Sequence, residues 1–228
     1  MNYSQDCNFL PEYAQSRMSP FDAAALRQLL NGRGNLRILE IGSWMGAGST
    51  QIFSEHAKLL VCVDHWRGNE NAEHKKLLEE CDPFSIFQEN TKAFSKKIVA
   101  IKSNSTLVGE LISNKIFDLI FVDGDHRYNQ TILDIRNCLP KLKNGGIICG
   151  HDCEFRLGGL GRMFTSEELN CDHIDSPSSR FRHCHPGVVH AVHEVFGQDV
   201  NLFADTGNEL QLEDGRVGYS TIWWKNLP

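Results

Sequence analysis

The 228-residue sequence has no apolar stretch approaching the roughly 20 residues that a membrane-spanning helix needs. Its start, Met1-Asn-Tyr-Ser-Gln-Asp6, lacks the basic and apolar segments of a secretory signal. Basic runs are scarce too: none exceeds two residues, and the formal net charge is -6. Affinity for a phosphate backbone or an anionic lipid surface rests on clustered Lys and Arg, so neither nucleic acid nor membrane is expected as a partner. The eight cysteines form no C-x-x-C pair, and Cys62 and Cys149 lie inside apolar runs, where a thiol acts as a small buried hydrophobe. Free thiols without a disulfide framework point to a cytoplasmic protein. Internal repeats and low-complexity tracts are also absent. The hydrophobic fraction of 41% supplies a core without an oligomer, although a homo-oligomer stays open, and a small-molecule ligand fits this composition best.

Strand-like and helix-like segments alternate. Residues 20–31 read as a helix with Pro20 in its first turn and Gly32 past its end. Strands are expected at 36–41, 59–63, 98–101, 117–122 and 147–149, with helices at 49–57, 106–113 and 128–142 and helix-prone sequence over 70–96. Gly145-Gly146 is expected to close the helix before the fifth strand. Residues 154–186 show little periodicity and read as a long loop, followed by a helix over 186–196 and terminal strands at 198–203 and 217–224. This alternation predicts an α/β fold: a doubly wound, mostly parallel seven-stranded sheet finished by an antiparallel hairpin. The expected organisation is an N-terminal helical cap over 1–33 and a single nucleotide-binding domain over 34–228.

The first strand runs into Glu40-Ile-Gly-Ser-Trp-Met-Gly-Ala-Gly48. Glycines at 42, 46 and 48 let backbone approach a ligand closely, a property that dinucleotide sites share. Glu40 tilts the balance, because a carboxylate there disfavours a pyrophosphate but tolerates the sulfonium of S-adenosylmethionine. Asp64 ends the second strand, where an acid can hold both ribose hydroxyls. An NAD(P)-dependent oxidoreductase, or a non-catalytic nucleoside-binding module, is the alternative reading.

Residues 36–50 resemble the first motif of class I S-adenosylmethionine-dependent methyltransferases. Phe117-Asp-Leu-Ile-Phe-Val-Asp-Gly-Asp-His-Arg-Tyr128, with Leu142-Lys-Asn-Gly-Gly-Ile-Ile-Cys-Gly-His-Asp152, is similar to the small metal-assisted O-methyltransferases related to macrocin and sugar O-methyltransferases. The resemblance spans roughly 34–153 and continues more weakly through 186–192 and 222–224. It implies a cofactor site built from Glu40, Gly42, Ser43, Gly46, Gly48, Ser49, Asp64, His65, Trp66, Asn104, Ser105 and Asp123. It also implies Asp123 and Asp152 as ligands of Mg²⁺ or another divalent cation. Where many relatives have a further Asp or Asn, this chain has Cys153, a poor ligand for Mg²⁺.

The expected reaction is methyl transfer to a hydroxyl of a small polar acceptor, of sugar or natural-product type. Asp123, Asp125 and His126 follow the fourth strand, and His151 and Asp152 follow the fifth, so neighbouring strand tips bring them together. The base is His151, Asp125 or His126, with His151 favoured for its place beside a ligand and an imidazole pKa near neutrality. Cys171, His173, His183, Cys184 and His185 crowd the long loop, which reads as a surface loop over the acceptor. Arg156, Arg162, Arg180 and Arg182 are expected to face an anionic group on that acceptor.

Overall fold

A computed structural model describes residues 18–69, 72–158, 162–176 and 180–228. Most of the expected cap, residues 1–17, lies outside the described residues. Its helix α1 (Pro20–Leu30) is present, with Ser19 accepting a hydrogen bond from Asp22 N and Pro20 supplying the fixed φ that suits a first turn. The chain then alternates: β1 (Leu36–Ile41), α2 (Ser49–His56), β2 (Ala57–Asp64), α3 (Ala72–Glu80), α4 (Pro83–Asn90) and β3 (Ile98–Lys102). It continues with α5 (Val108–Leu111), β4 (Phe117–Val122), α6 (Tyr128–Cys138) and β5 (Leu142–Gly150). The seven-stranded sheet has the order β3-β2-β1-β4-β5-β11-β8, where β8 is Asn201–Leu202 and β11 is Trp223–Asn226. The first five strands pair in parallel, and β11 runs antiparallel to both its neighbours.

Successive side chains of a strand point to opposite faces. Leu39, Ile41, Ile120, Val122 and Ile148 enter one core cluster, closed by Ile132 and Ile135 of α6. Ile38, Leu60, Cys62, Leu119, Phe121, Ile147 and Cys149 enter the other, closed by Leu26 and Leu30 of α1 and Ile52 and Phe53 of α2. Two apolar faces therefore need two helical layers, which is why central strands read as unbroken hydrophobic runs.

Several boundaries differ from expectation. Pro140 ends α6 early through a short 3₁₀ turn, and β5 begins at Leu142, so Gly145-Gly146 belongs to that strand instead of closing a helix. The terminal strand expected over 217–224 is split. Val217–Gly218 (β10) pairs with Leu210–Gln211 (β9) in a separate ribbon, and only Trp223 onwards joins the main sheet. The break has a cause: Gly218 lies against the Phe21 ring, while Ser220 Oγ and Thr221 N both donate to Asp22 Oδ1, at 2.7 and 2.9 Å. The long loop is also partly ordered, with α7 (Ser166–Leu169) and a ribbon of β6 (Ile174–Asp175) and β7 (His183–Cys184) before α8 (Pro186–Phe196).

Gly187 shows why α8 starts with Pro-Gly: a Cβ there would lie 2.3 Å from the His126 carbonyl oxygen and 2.4 Å from Tyr128 N. The helix N-terminus is thereby docked on the turn after β4. Among the described residues, no helix is long and apolar enough to cross a membrane.

Asp134 of α6 is 1% exposed, with Gln130 Nε2 donating to its Oδ1 at 2.8 Å. Burial pushes its pKa from 3.8 up to about 6, against the lowering effect of Ser105 and Gln130. A raised folded-state pKa means stability that is full below the unfolded value and lost as pH rises through 6. Urea unfolding of Asp134→Asn and the parent at pH 4.5 and 7.5 should therefore show the variant gaining, relative to the parent, on the order of 2 kcal/mol between the two. An unchanged difference would mean that Asp134 ionises freely in the fold.

Candidate active site

The site forms at the carboxyl ends of β1, β4 and β5, with Asp64 at the end of β2. The Gly42 N–H donates to Val63 O and the Asp123 N–H to Ile41 O, both at 2.9 Å, so the turns after β1 and β4 are pinned side by side. Gly42 has φ +84, and a Cβ on it would lie 1.9 Å from the Asp123 carbonyl oxygen. Only glycine fits there, because the position needs both the left-handed backbone and the missing side chain. Gly46, at φ +69, instead packs under Phe87 of α4 and Thr91, the residue that caps that helix. Gly48 is the N-cap of α2.

Glu40 is fully buried under this turn. Ser49 Oγ donates to one carboxylate oxygen at 2.6 Å and Thr50 Oγ1 to the other at 2.8 Å, with Cys62 Sγ at 3.4 Å. Burial raises its pKa over the lowering effect of these donors. Its carboxylate thus binds the start of α2 to β1, and Ser49 is engaged in the same knot. Ser43 is buried beside it.

Asp64 accepts from Trp44 N at 2.8 Å and from Trp66 N at 2.7 Å, linking the glycine turn to the turn after β2. Trp66 is 2% exposed, packed against Phe84 and Phe87, and its Nε1 donates to Trp44 O at 2.6 Å. It supports the pocket from within the core. His65 is half-exposed at the rim and accepts from Arg67 N. After β3, Ser103 N donates to Asp64 O at 3.0 Å. Asn104 caps the following turn through Thr106 N, and Ser105 Oγ accepts from Gln130 Nε2. The residues after β1, β2 and β3 therefore form one continuous rim.

The acceptor-side residues converge on Asp152. His151 Nδ1 lies 3.1 Å from Asp152 Oδ1 and 3.5 Å from Asp123 Oδ1, and its Nε2 lies 3.2 Å from Asp22 Oδ2. His126 Nε2 lies 3.1 Å from Asp152 Oδ2, and its Nδ1 lies 2.9 Å from Asp172 Oδ1. Burial would lower the pKa of both imidazoles. The carboxylates override it and hold both well above the usual imidazole range: Asp152, Asp123 and Asp22 for His151, Asp152 and Asp172 for His126. The reciprocal effect, against burial that favours the neutral acid, holds Asp152 well below the carboxylate range and Asp22 at about 2.

Asp125 does not join this group in the same way. It is clasped by Arg127 through the backbone N–H at 2.9 Å and the guanidinium, and burial is outweighed by that partner, so its pKa is lowered. A carboxylate so stabilised is a weak base.

Three contributors are absent from the expectations, and a fourth, His185, is expected there only as part of the loop over the acceptor. Asp22 arrives from α1, Asp172 from the loop after α7, and Glu154 and His185 meet at 2.6 Å beside Asp152. His185, from the loop expected over the acceptor, is therefore beside Asp152. Its position immediately before Pro186-Gly187, at a helix start, was the available signal. The expected arginines are largely spent elsewhere: Arg156 on Gln198 O, Val200 O and Asp205, Arg162 on Glu168, and Arg180 on Ala204 O.

Cys153 is fully buried, and burial raises its thiol pKa, so it offers no thiolate to the cluster. Two groups of donors converge within 4.8 Å of one another: Asp123, His151 and Asp152, and His126, Asp152 and His185. Asp123 and Asp152 do come together, but imidazoles are interleaved with them. Magnesium prefers oxygen donors alone in a near-octahedral shell, so this mixed set fits it poorly.

Over residues 39–153 the sequence matches the family described as a methyltransferase domain. The chain belongs to this family. Its fold is that of the class I S-adenosylmethionine-dependent methyltransferases. An O-methyltransferase from Bacillus cereus, solved in complex with SAH, is 18% identical, with a TM-score of 0.53 over 94% of this chain and 84% of that one. Precorrin 8W decarboxylase from Methanobacterium thermoautotrophicum is 13% identical, with a TM-score of 0.53 over 96% of this chain and 97% of that one. Likeness at this level shows the fold, and the two descriptions show that the fold alone does not name the reaction. A Sinorhizobium fredii relative, "Uncharacterized protein y4gI", is 26% identical over 170 residues, which are 69% of this chain but only 17% of that protein.

Gly42→Ala tests the close contact of the two turns. The Cβ would have to displace the Asp123 backbone, so we expect a loss of at least about 2 kcal/mol in chemical denaturation. A variant as stable as the parent would show that the turns are not in contact.

Proposed function

We propose that this methyltransferase moves the methyl group of S-adenosylmethionine to a hydroxyl of a small polar acceptor, of sugar or natural-product type. One observation carries the reading: the Gly42–Asp123 contact makes the glycine turn and the carboxylate–imidazole cluster share a wall. A donor lying on the turn, with its ribose at Asp64 and its adenine towards Asn104 and Ser105, would have its methyl group aimed at the cluster.

In this reading the neutral form of His151, which its flanking carboxylates make available only as pH rises above the usual imidazole range, takes the acceptor's hydroxyl proton. Asp22 and Asp123 flank the ring and stabilise the imidazolium that results. The freed oxygen forms a bond to the methyl carbon as the carbon–sulfur bond breaks, and that electron pair stays on sulfur. Sulfonium becomes a neutral thioether, so the attacking anion and the cation are consumed together. Much of the acceleration then comes from holding two bound reactants in line. A divalent ion held at Asp152 would lower the pKa of a bound hydroxyl. Asp123 and His126 complete the wall around the acceptor.

Calorimetry with S-adenosylhomocysteine and with NAD separates this reading from an oxidoreductase. We expect S-adenosylhomocysteine to bind and NAD not to, with Asp64→Ala weakening the former by about 10-fold or more, as the loss of two charge-assisted hydrogen bonds implies. His151→Ala should lower turnover by about 10²–10⁴-fold, the usual worth of a positioned base, while leaving S-adenosylhomocysteine affinity within about twofold. NAD binding in place of S-adenosylhomocysteine would overturn the reading. Undiminished turnover in the His151 variant would remove it as the base.

A further inference from the structure

We propose that His126, Asp152 and His185 bind a first-row transition-metal dication of the Mn²⁺ to Zn²⁺ series, in place of the magnesium that the sequence resemblance implies. The inference deepens the function proposed above, since it names the ion of that same acceptor site.

Three features carry it. One donor atom from each of the three residues lies within 4.8 Å of the others, and the His126 and His185 rings meet edge to face with centroids 4.6 Å apart. Two imidazoles and one carboxylate on one side of an ion leave its remaining positions for acceptor oxygens, a pattern typical of iron, zinc and their neighbours.

Each imidazole also has a second carboxylate. Asp172 meets His126 Nδ1 at 2.9 Å and Glu154 meets His185 Nδ1 at 2.6 Å, while the His185 N–H donates to Glu154 Oε2 at 3.1 Å. Histidines that ligate metals are usually fixed in this way by a carboxylate outside the coordination shell. For His126, Asp172 at Nδ1 leaves Nε2, the nitrogen beside Asp152, for the ion; for His185 the Nδ1 held by Glu154 is also the nitrogen 3.5 Å from Asp152 Oδ1, so an ion taken there displaces the Glu154 contact.

The third feature is charge. Asp22, Asp123, Asp152, Glu154 and Asp172 face His126, His151, His185 and, beside Asp172, the half-exposed His173. The carboxylates outnumber the imidazoles, in a cluster where Asp22, Asp152 and Glu154 are buried. A dication ligated by His126 and His185 replaces their two protons, so the carboxylates stay compensated without either imidazole carrying a charge.

The arrangement is built into the backbone. Gly187 seats α8 on the His126–Tyr128 turn, which holds His185 against His126. The rest of the loop's histidine and cysteine content is not needed. His173 meets His183 edge to face and is half-exposed, and Cys184 is buried with its thiol pKa pushed up.

The test is titration of chelator-treated protein with Co²⁺ and with Mg²⁺, following visible ligand-field absorption and calorimetric stoichiometry. We expect one Co²⁺ per chain, not displaced by millimolar Mg²⁺. His126→Ala and His185→Ala should each weaken Co²⁺ by more than the about 10–100-fold that losing an outer partner costs, and Asp172→Asn by about that amount. His173→Ala should leave it unchanged. Circular dichroism identifies any variant that fails to fold, and Asp172→Asn, altered by one atom at a half-exposed position, keeps the test decisive in that case. Parent-like Co²⁺ affinity in the His126 and His185 variants, displacement by Mg²⁺, or no Co²⁺ binding by folded protein would each overturn the inference. The titration needs no cofactor. Protein that binds S-adenosylhomocysteine but no Co²⁺ would lose the metal site and keep the methyltransferase reading; the reverse result would do the opposite.

Discussion

Asp152 is the group around which the distant parts of the chain are arranged. It follows β5 with a left-handed backbone, φ +62, and its carboxylate lies within 3.5 Å of a nitrogen of His126, His151 and His185. Those three residues come from the turn after β4, the tip of β5 and the start of α8. A carboxylate this deep must be compensated, and each compensating imidazole is in turn held by another acid. The constraint therefore propagates outward. Through His151 it reaches Asp22 and so α1; through Asp22 it reaches Ser220 and Thr221 and bends the chain before β11. The N-terminal helix and the last strand are tied to the site by charge as well as by packing.

The donor side is organised on a different principle, close approach of backbone. Gly42 lies against the Asp123 carbonyl, and Glu40 is buried beneath the same turn with both oxygens occupied by α2 and β2 side chains. A buried carboxylate with satisfied partners stiffens a turn without presenting its charge to a ligand. The sulfonium argument that singles out Glu40 in the sequence therefore identified an informative residue for a reason the structure does not share. Its hydrogen bonds to Ser49 and Thr50 tie the turn to the start of α2.

Much of the fold was legible because its signals are local. Unbroken apolar runs at 59–63 and 117–122 require burial on both faces, and Pro20, Gly32 and Pro186-Gly187 mark helix ends through backbone geometry alone. The expected sheet with its antiparallel finish is present. Errors concentrate where a long-range contact overrides a local one: Gly145-Gly146 stays in β5, and Val217–Gly218 leaves the main sheet because Phe21 and Asp22 claim the residues around it. The site divides along the same line. Asp123, His126, His151 and Asp152 were legible from their places after two strands. Asp22, Glu154, Asp172 and His185 were not, because each is recruited by electrostatic pairing across 31 or more residues, which no spacing in the sequence records.

That mixture of donors also separates this chain from a simple carboxylate site. The central claim, however, is transfer of a methyl group to oxygen. It is tested most directly by supplying the metal-loaded protein with methyl-labelled S-adenosylmethionine and a panel of hydroxylated small molecules. The account predicts label in an ether linkage of one acceptor class, with one S-adenosylhomocysteine formed per methyl transferred. Label found on nitrogen or carbon instead would contradict it.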